Sequence, residues 1–279
     1  WNSMTKVDFH VHTSASDGIL NPRDVVDRAY KNGVSILAIT DHDTIDGLSE
    51  ALEEAEVKNI KLIPGIEFSC NYNNESIHLL GLFRNDSYKS EEFLKILDSI
   101  KQRRILRAKE IIKRLDDVFN IKISLESVLN CGSNIIARPH IAKAIINAGY
   151  PYTQDYIFDN FIGKDKPAYV PTNEITIQEA IDTLHKFNAI AVLAHPVLIK
   201  NTPLNDFLKF KLDGIEAVYF LNSKEDQEFL INFANKNNLL VTAGSDCHGD
   251  FVNDKRHGDI GDMCLDEIYI NALLDKLQI

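Results

Sequence analysis

Apolar residues along this 279-residue chain fall into short, β-branched runs separated by amphipathic stretches. Four early runs read as strands: "KVDFHVH" from Lys6, "SILAIT" from Ser35, "KLIPGIEF" from Lys61 and "SIHLLGLF" from Ser76. Three later ones follow: "AIAVLA" from Ala189, "DGIEAVYF" from Asp213 and "LLVTAGSD" from Leu239. Several are nearly continuous in apolar character, as expected of strands covered on both faces. Helix patterns lie between them. "NPRDVVDRAYKNG" from Asn21 carries a cap, a proline at the first helical position and a closing glycine. "TIDGLSEALEEAEVKN" from Thr44 opens with a threonine and acids, "TIQEAIDTLHKFN" from Thr176 has a capping box, and "SKEDQEFLINFANKNN" from Ser223 starts with a serine cap. Strand–helix alternation predicts an α/β fold with a mostly parallel sheet. Seven strands suit either a barrel one unit short of the eight-fold form or a doubly wound sheet.

The rhythm breaks over 88–172. "EEFLKILDSIKQRRILRAKEIIKRLDDVF" from Glu91 predicts one long, charge-laced helix. Short helices are expected near Ser124–Leu129 and Pro139–Ala148, and no strand pattern appears. The expected organisation is therefore a barrel from 4–87 and 173–279, with 88–172 a helical insertion overhanging one face.

Composition adds boundaries. The chain is 44% hydrophobic and 25% charged, with a formal net charge of −11. An extended non-specific nucleic-acid surface is disfavoured, because it needs basic residues to displace counterions. Four cysteines without a C-x-x-C pair indicate reduced thiols and a cytoplasmic setting. No apolar run reaches the ~20 residues that span a bilayer. No leader pattern opens the chain; Met4 reads as a start, and "WNS" before it is left out of the fold reading. No G-x-x-x-x-G-K-[ST] phosphate loop is present.

Coordinating residues gather at strand ends. His10 and His12 lie in the first strand, with Asp17 beyond it; Asp41, His42 and Asp43 ("TDHDT") follow the second. Glu67 is near the end of the third, His195 ("AHP") ends the fifth, and Asp246 and His248 ("SDCHG") end the seventh. His78 comes early in its run and fits this rule less well. In a parallel barrel the C-terminal strand ends converge on one face, so residues scattered over most of the chain meet in one cleft. Positions i and i+2 of a strand share a face, which lets His10 and His12, or Asp246 and His248, serve one ion. Nine nitrogen and oxygen donors exceed what one ion needs and suit two or three, with Glu67 or Asp246 bridging. The absence of thiolates favours Mn, Zn or Fe. Asp41 and Asp43 are read as helix caps or as residues orienting a ligand. Cys247 falls on the opposite face and is read as packing; His185 and His257 are read as non-ligands. Arg103, Arg104 and Arg107 are read as a solvated helix face.

In order, "HVHTSASDG", "TDHDT", "GIEFS", "IHLLG", "AHP" and "GSDCHG" resemble the motifs of the PHP (polymerase and histidinol phosphatase) superfamily over nearly the whole chain. The resemblance implies a distorted seven-stranded, TIM-like barrel with a trinuclear metal centre and metal-dependent phosphoesterase activity. It assigns His10, His12, Glu67 and Asp246 to one ion, Glu67, His78 and His195 to a second, and Asp17, His42 and His248 to a third. "IIARPHIAKAII" from Ile135 and "KPAYVP" from Lys166 are similar to stand-alone bacterial members acting on nucleoside 3′,5′-bisphosphates or, 5′ to 3′, on short oligoribonucleotides. In those members Arg138 and His140 would contact substrate phosphate, and the insertion would cover the active-site face. An arginine there offers a planar fork to phosphate oxygens. The expected partner is a small phosphorylated substrate, a nucleotide or short oligonucleotide, with no membrane. Rival readings are another phosphatase of the superfamily, such as one for histidinol phosphate, and a non-catalytic metal-dependent binding module. Barrel and insertion account for residues 4–279, which makes a polymerase-attached proofreading nuclease a less expected reading.

Overall fold

The computed structural model describes residues 4–132, 135–171 and 174–279. In chain order the elements are β1 (Met4–Asp8), α1 (Pro22–Lys31), β2 (Ile36–Ile39), α2 (Leu48–Lys58), β3 (Lys61–Tyr72), β4 (Glu75–Phe83), α3 (Glu91–Phe119), α4 (Leu125–Leu129), α5 (Arg138–Asn147) and α6 (Gln154–Ile157). Then come β5 (Ile175–Thr176), α7 (Ile177–Lys186), β6 (Ala189–Leu193), β7 (Gly214–Tyr219), α8 (Lys224–Lys236), β8 (Leu240–Gly244), β9 (Cys264–Asp266) and α9 (Glu267–Leu277). Local chemistry sets several boundaries. Asn21 Oδ1 accepts the Asp24 N–H at 2.9 Å and Pro22 opens α1. Thr176 and Glu179 form a reciprocal capping box at the start of α7. The start of α2 differs from expectation: it is at Leu48, with Gly47 at the cap position and no side-chain cap.

The chain forms two compact units, one comprising residues up to Leu94 together with Ile175–Ile279, the other Lys95–Glu174. The expected junction at 172–173 lies outside the described residues. In the first unit the sheet runs β8-β7-β6-β4-β3-β2-β1-β9, with β5 beside β3. The two ends of this path meet. Phe9 N donates to Ala243 O at 2.9 Å, Asp246 N to His10 O at 2.9 Å and His12 N to Cys247 O at 3.0 Å. The sheet is thus a nearly closed barrel, with the helices of this unit packed outside it and β2, β6 and β7 buried along their whole length.

Three features correct the sequence-based expectation. The described residues hold nine strands, not seven, because β5 and β9 are only two and three residues long and leave little pattern. β1 ends at Asp8, so His10 and His12 follow the strand in an extended stretch whose one bridge is Val11 to Cys247. The sheet is also not uniformly parallel: β4 runs antiparallel to both β3 and β6. The β3–β4 hairpin turns on Asn73 and Asn74, both in the left-handed region at φ 51° and 57°, a conformation asparagine tolerates in two-residue hairpins.

The second unit has its own core. Ala108, Ile111 and Leu115 recur at helical spacing on α3 and pack with Ile141, Ile145 and Phe161. The arginines of α3 are not a solvated face: Arg104 donates to Ile136 O at 3.2 Å and Arg107 to Val170 O at 2.9 Å, both partly buried.

Candidate metal centre

The barrel rim gathers the predicted donors around one carboxylate. Glu67 ends no strand; it lies in mid-β3, fully buried, where the His42 bridge joins it to the loop after β2. Its Oε1 is 2.8 Å from His78 Nδ1, 3.3 Å from His10 Nε2 and 3.4 Å from His195 Nε2. Its Oε2 is 3.0 Å from His42 Nδ1 and 3.1 Å from His12 Nε2. Asp246 Oδ1 completes this group, 3.2 Å from His10 Nε2 and 3.1 Å from His12 Nε2. On the other side of His42, Asp17 lies 3.6 Å from His42 Nε2 and 3.3 Å from His248 Nε2.

His78 reaches Glu67 because β4 is reversed. The hairpin pairs His78 with Ser69, so the early part of β4 lies at the end of the barrel where the parallel strands finish. Rim residues also adopt left-handed backbone: Asp43 and Asp246 have φ of 51° and 56°, which aspartate accepts, and His195 has the strained φ of 29°.

These distances are short, yet His10 Nε2, His12 Nε2, His42 Nδ1 and both Glu67 oxygens are buried without a hydrogen bond. Buried polar atoms are normally paired. Donors held by one ion at about 2.1 Å stand roughly 3.0–3.4 Å apart. The unpaired atoms show that spacing, and the site fits divalent ions bound by nitrogen and oxygen. Among the described residues four donor groups emerge: His10, His12, Glu67 and Asp246; His12, Asp17, His42 and His248; His42, Glu67 and His78; and, at the edge, Asp246, His248 and His257. His42 thus faces both Glu67 and Asp17, and His195 joins through Glu67 alone.

Charge follows the geometry. Burial alone would raise the Glu67, Asp17 and Asp246 carboxyls, but the surrounding imidazoles outweigh it and hold all three well below the ordinary range. Burial opposes charge on His12, but the Asp246 and Glu67 carboxylates beside it lift it to about 10; Asp246 and Glu216 lift His10 well above its usual value.

Residues behind the donors orient them. Glu216, fully buried on β7, receives His10 Nδ1 at 3.0 and 3.2 Å and the His195 N–H at 2.7 Å. It thereby fixes which His10 nitrogen faces Glu67. Gly244 is required beside it, since a Cβ there would collide with the Glu216 carboxylate and His10 Cβ. Asp8 accepts the Ser245 N–H at 2.9 Å, and burial raises its pKa to about 7 against the pull of that contact. Asp41 caps no helix: it accepts Thr13 N and Oγ1, both at 2.7 Å, and Ser16 Oγ at 2.6 Å, fastening the loop that carries His12 and Asp17. Asp43 Oδ1 accepts Ser69 N at 3.2 Å, beside Glu67. Glu216 and Asp8 are not singled out by the sequence pattern, although Glu216 is a lone acid in an otherwise apolar strand and Asp8 continues the His10–His12 alternation. His257, read as a non-ligand, lies 3.5 Å from Asp246 Oδ2. His185 is held away from the centre by Asp213 at 2.7 Å. Cys247 is packed as expected, and burial pushes its thiol up to about 12.

Arg138 and His140 belong to the second unit. The Arg138 guanidinium lies 5.7 Å from the Phe158 and Tyr169 ring centres, and that of Arg107 lies 5.9 Å from Tyr169. Burial, then the neighbouring Arg138 charge, lowers the Arg107 pKa to about 10. His140 is buried, and its Nδ1 accepts the Ala137 N–H at 3.0 Å, closing the first turn of α5.

Residues 8–130 match the PHP domain. A 5′-3′ exoribonuclease of Haemophilus influenzae is 33% identical over 249 residues, spanning 87% of this chain and 90% of the relative. The chain belongs to the PHP family. A 3′,5′-nucleoside bisphosphate phosphatase of Chromobacterium violaceum is 28% identical, spanning 88% of both chains. Among solved structures, a proposed metal-dependent phosphoesterase of Bifidobacterium adolescentis superposes with a TM-score of 0.83 at 29% identity, covering 99% of this chain and 98% of that one. Among the described residues of this PHP chain, no helix is long and apolar enough to cross a membrane.

Proposed function

We propose that this chain is a metal-dependent phosphoesterase that hydrolyses nucleoside 3′,5′-bisphosphates, short oligoribonucleotides from the 5′ end, or both. The observation that carries the reading is the set of buried, unpaired imidazole and carboxylate atoms around Glu67. The named relatives support the substrate class. Three ions are assigned: one to His10, His12, Glu67 and Asp246, one to Glu67, His78 and His195, and one to Asp17, His42 and His248. Divalent ions bound there supply Lewis acidity to the phosphoryl oxygens and to the attacking water. Glu67 sets the spacing by offering both oxygens from one rigid strand. Glu216 and Asp41 keep donors aimed at the centre, so little reorganisation accompanies the reaction. Arg138 neutralises charge on the substrate phosphate, and His140 is assigned to the same phosphate.

The test uses purified protein with adenosine 3′,5′-bisphosphate and a 5′-phosphorylated RNA trimer, at graded Mn, Zn and Fe loadings. Release of phosphate or mononucleotide supports the reading. No release at any loading, or faster turnover of histidinol phosphate than of either nucleotide, refutes it. In the same assay, Arg138→Ala is expected to raise KM at least tenfold.

A further inference from the structure

His257, on the loop between β8 and β9, sits at the edge of the centre in a distinctive setting. Its Nδ1 is 2.6 Å from Asp254 Oδ2. Asp254 Oδ1 meanwhile accepts the backbone N–H groups of Arg256 at 2.9 Å and His257 at 3.3 Å, so the same carboxylate shapes the turn and holds the ring. The ring stacks on His248, with centroids 4.2 Å apart and planes 29° from parallel. The backbone around it is pinned on two sides: Gly258 N donates to Ser245 O at 2.8 Å, and Arg28 grips Asp259 at 2.6 and 2.5 Å.

A carboxylate receiving Nδ1–H leaves the lone pair of a neutral imidazole on Nε2, the arrangement found behind metal-binding histidines. His257 Nε2 faces Asp246 Oδ2 at 3.5 Å. Two acceptors facing each other at that distance call for a cation between them. Asp246 Oδ2 is the oxygen turned away from His10 and His12, which approach Oδ1, and it also accepts the Tyr219 hydroxyl at 3.2 Å. Asp246, His248 and His257 present donor atoms within reach of one ion. His248 contributes little, since its Nδ1 is spent on Asp246 O at 2.7 Å and its Nε2 faces Asp17. A cavity of about 310 Å³ opens beside this pair, walled by His248, His257, Asp250, Asp254 and Phe251. It leaves room for water or a substrate oxygen to complete an ion's coordination.

We propose an additional divalent-cation position held by Asp246 Oδ2 and His257 Nε2, with Asp254 orienting the histidine. With so few protein donors it is a weak site, filled after the others and suited to a hydrated ion such as Mn. It adds to the centre proposed above and depends on it only through Asp246.

The test is Mn binding to metal-stripped protein, by equilibrium dialysis and by electron paramagnetic resonance of free Mn, without substrate. His257→Ala is expected to bind one ion fewer per chain than wild type at saturation, with the tighter ions retained. Asp254→Asn is expected to keep the stoichiometry and weaken the last ion about tenfold. Equal stoichiometry and equal last affinity in wild type and His257→Ala overturn the proposal. So does loss of every ion in Asp254→Asn with an unchanged metal-free melting temperature, because the pair would then belong to the main centre. Failure of the main centre reads differently: His10→Ala would leave the tight ions in place.

Discussion

Glu216→Gln isolates the role of a buried carboxylate that touches no proposed ion. In the wild type both oxygens face donors: His10 Nδ1 at 3.0 and 3.2 Å and the His195 N–H at 2.7 Å. An amide of the same shape has one oxygen and one NH2. If the oxygen serves His195, the NH2 meets His10 Nδ1, which must then accept, and the proton moves to the Nε2 that faces Glu67 and Asp246. If the oxygen serves His10, two donors oppose each other at His195, whose φ of 29° is already strained. Either way one charge-assisted hydrogen bond is lost, worth about 1.5–3 kcal/mol. Loss of a residue behind a metal ligand weakens affinity roughly 10–100-fold, or about 1.4–2.7 kcal/mol. The expected outcome is Mn affinity at least tenfold weaker, by chelator competition, with full stoichiometry restored at excess Mn. Metal-free Glu216→Gln should unfold about 2 kcal/mol more easily in urea. Mn affinity within threefold of wild type would refute the orienting role.

Three further outcomes follow from the geometry. A Cβ at Gly65 would lie 2.8 Å from Ile39 O and 3.0 Å from Gly81 O, backbone on both sides, so Gly65→Ala should lose about 1–3 kcal/mol in urea unfolding; no change would mean the sheet spreads freely there. Asn73 and Asn74 are both left-handed, so Asn74→Val should lose about 1–2 kcal/mol, whereas Asn74→Gly should retain stability. The third concerns pH, measured as melting temperature in chelator and in Mn. His12 is raised to about 10 and His10 is also raised, so their contribution to metal-stripped protein is complete below the unfolded value of about 6.5 and lost as pH climbs toward 10. Glu67, Asp17 and Asp246 are depressed, so theirs is present above about 4 and lost on acidification. Stripped protein should therefore melt progressively earlier from pH 6.5 to 9.5, and Mn, replacing those protons, should reverse the trend. A stripped-protein melting point that rises over that range would contradict the assignment.

Elements whose local chemistry and burial agree are legible in the amino-acid sequence alone. The apolar runs of β2, β6 and β7 and the single pattern of α3, Glu91–Phe119, belong here. The features that are not legible differ in cause. β5 and β9 are too short to show a period, and they exist because longer strands offer them an edge. α9 is missing from the sequence-based expectation although its signals are present: Asp266 caps it, and Leu273 and Leu277 are buried. The polarity of β4 is hidden because alternation looks the same in either direction; only the turn distinguishes them. That signal is present in Asn73 and Asn74, two consecutive residues able to take positive φ between apolar runs.

The same turn explains the uneven legibility of the site. Donors at the ends of parallel strands can be gathered from sequence by one rule, that such ends share a face. His78 breaks the rule, and the hairpin repairs it: reversing β4 brings an early residue to the rim, opposite Ser69 and two residues past Glu67. Glu216 and Asp8 stay hidden for a different reason. Their function is relational, set by which nitrogen of His10 or which backbone N–H they face, and no spacing within one strand encodes a partner some two hundred residues away. A lone acid in a strand buried on both faces nevertheless requires a partner, since an uncompensated buried charge is prohibitive. Where such an acid shares a barrel with unpaired histidines, those histidines are where to look for it.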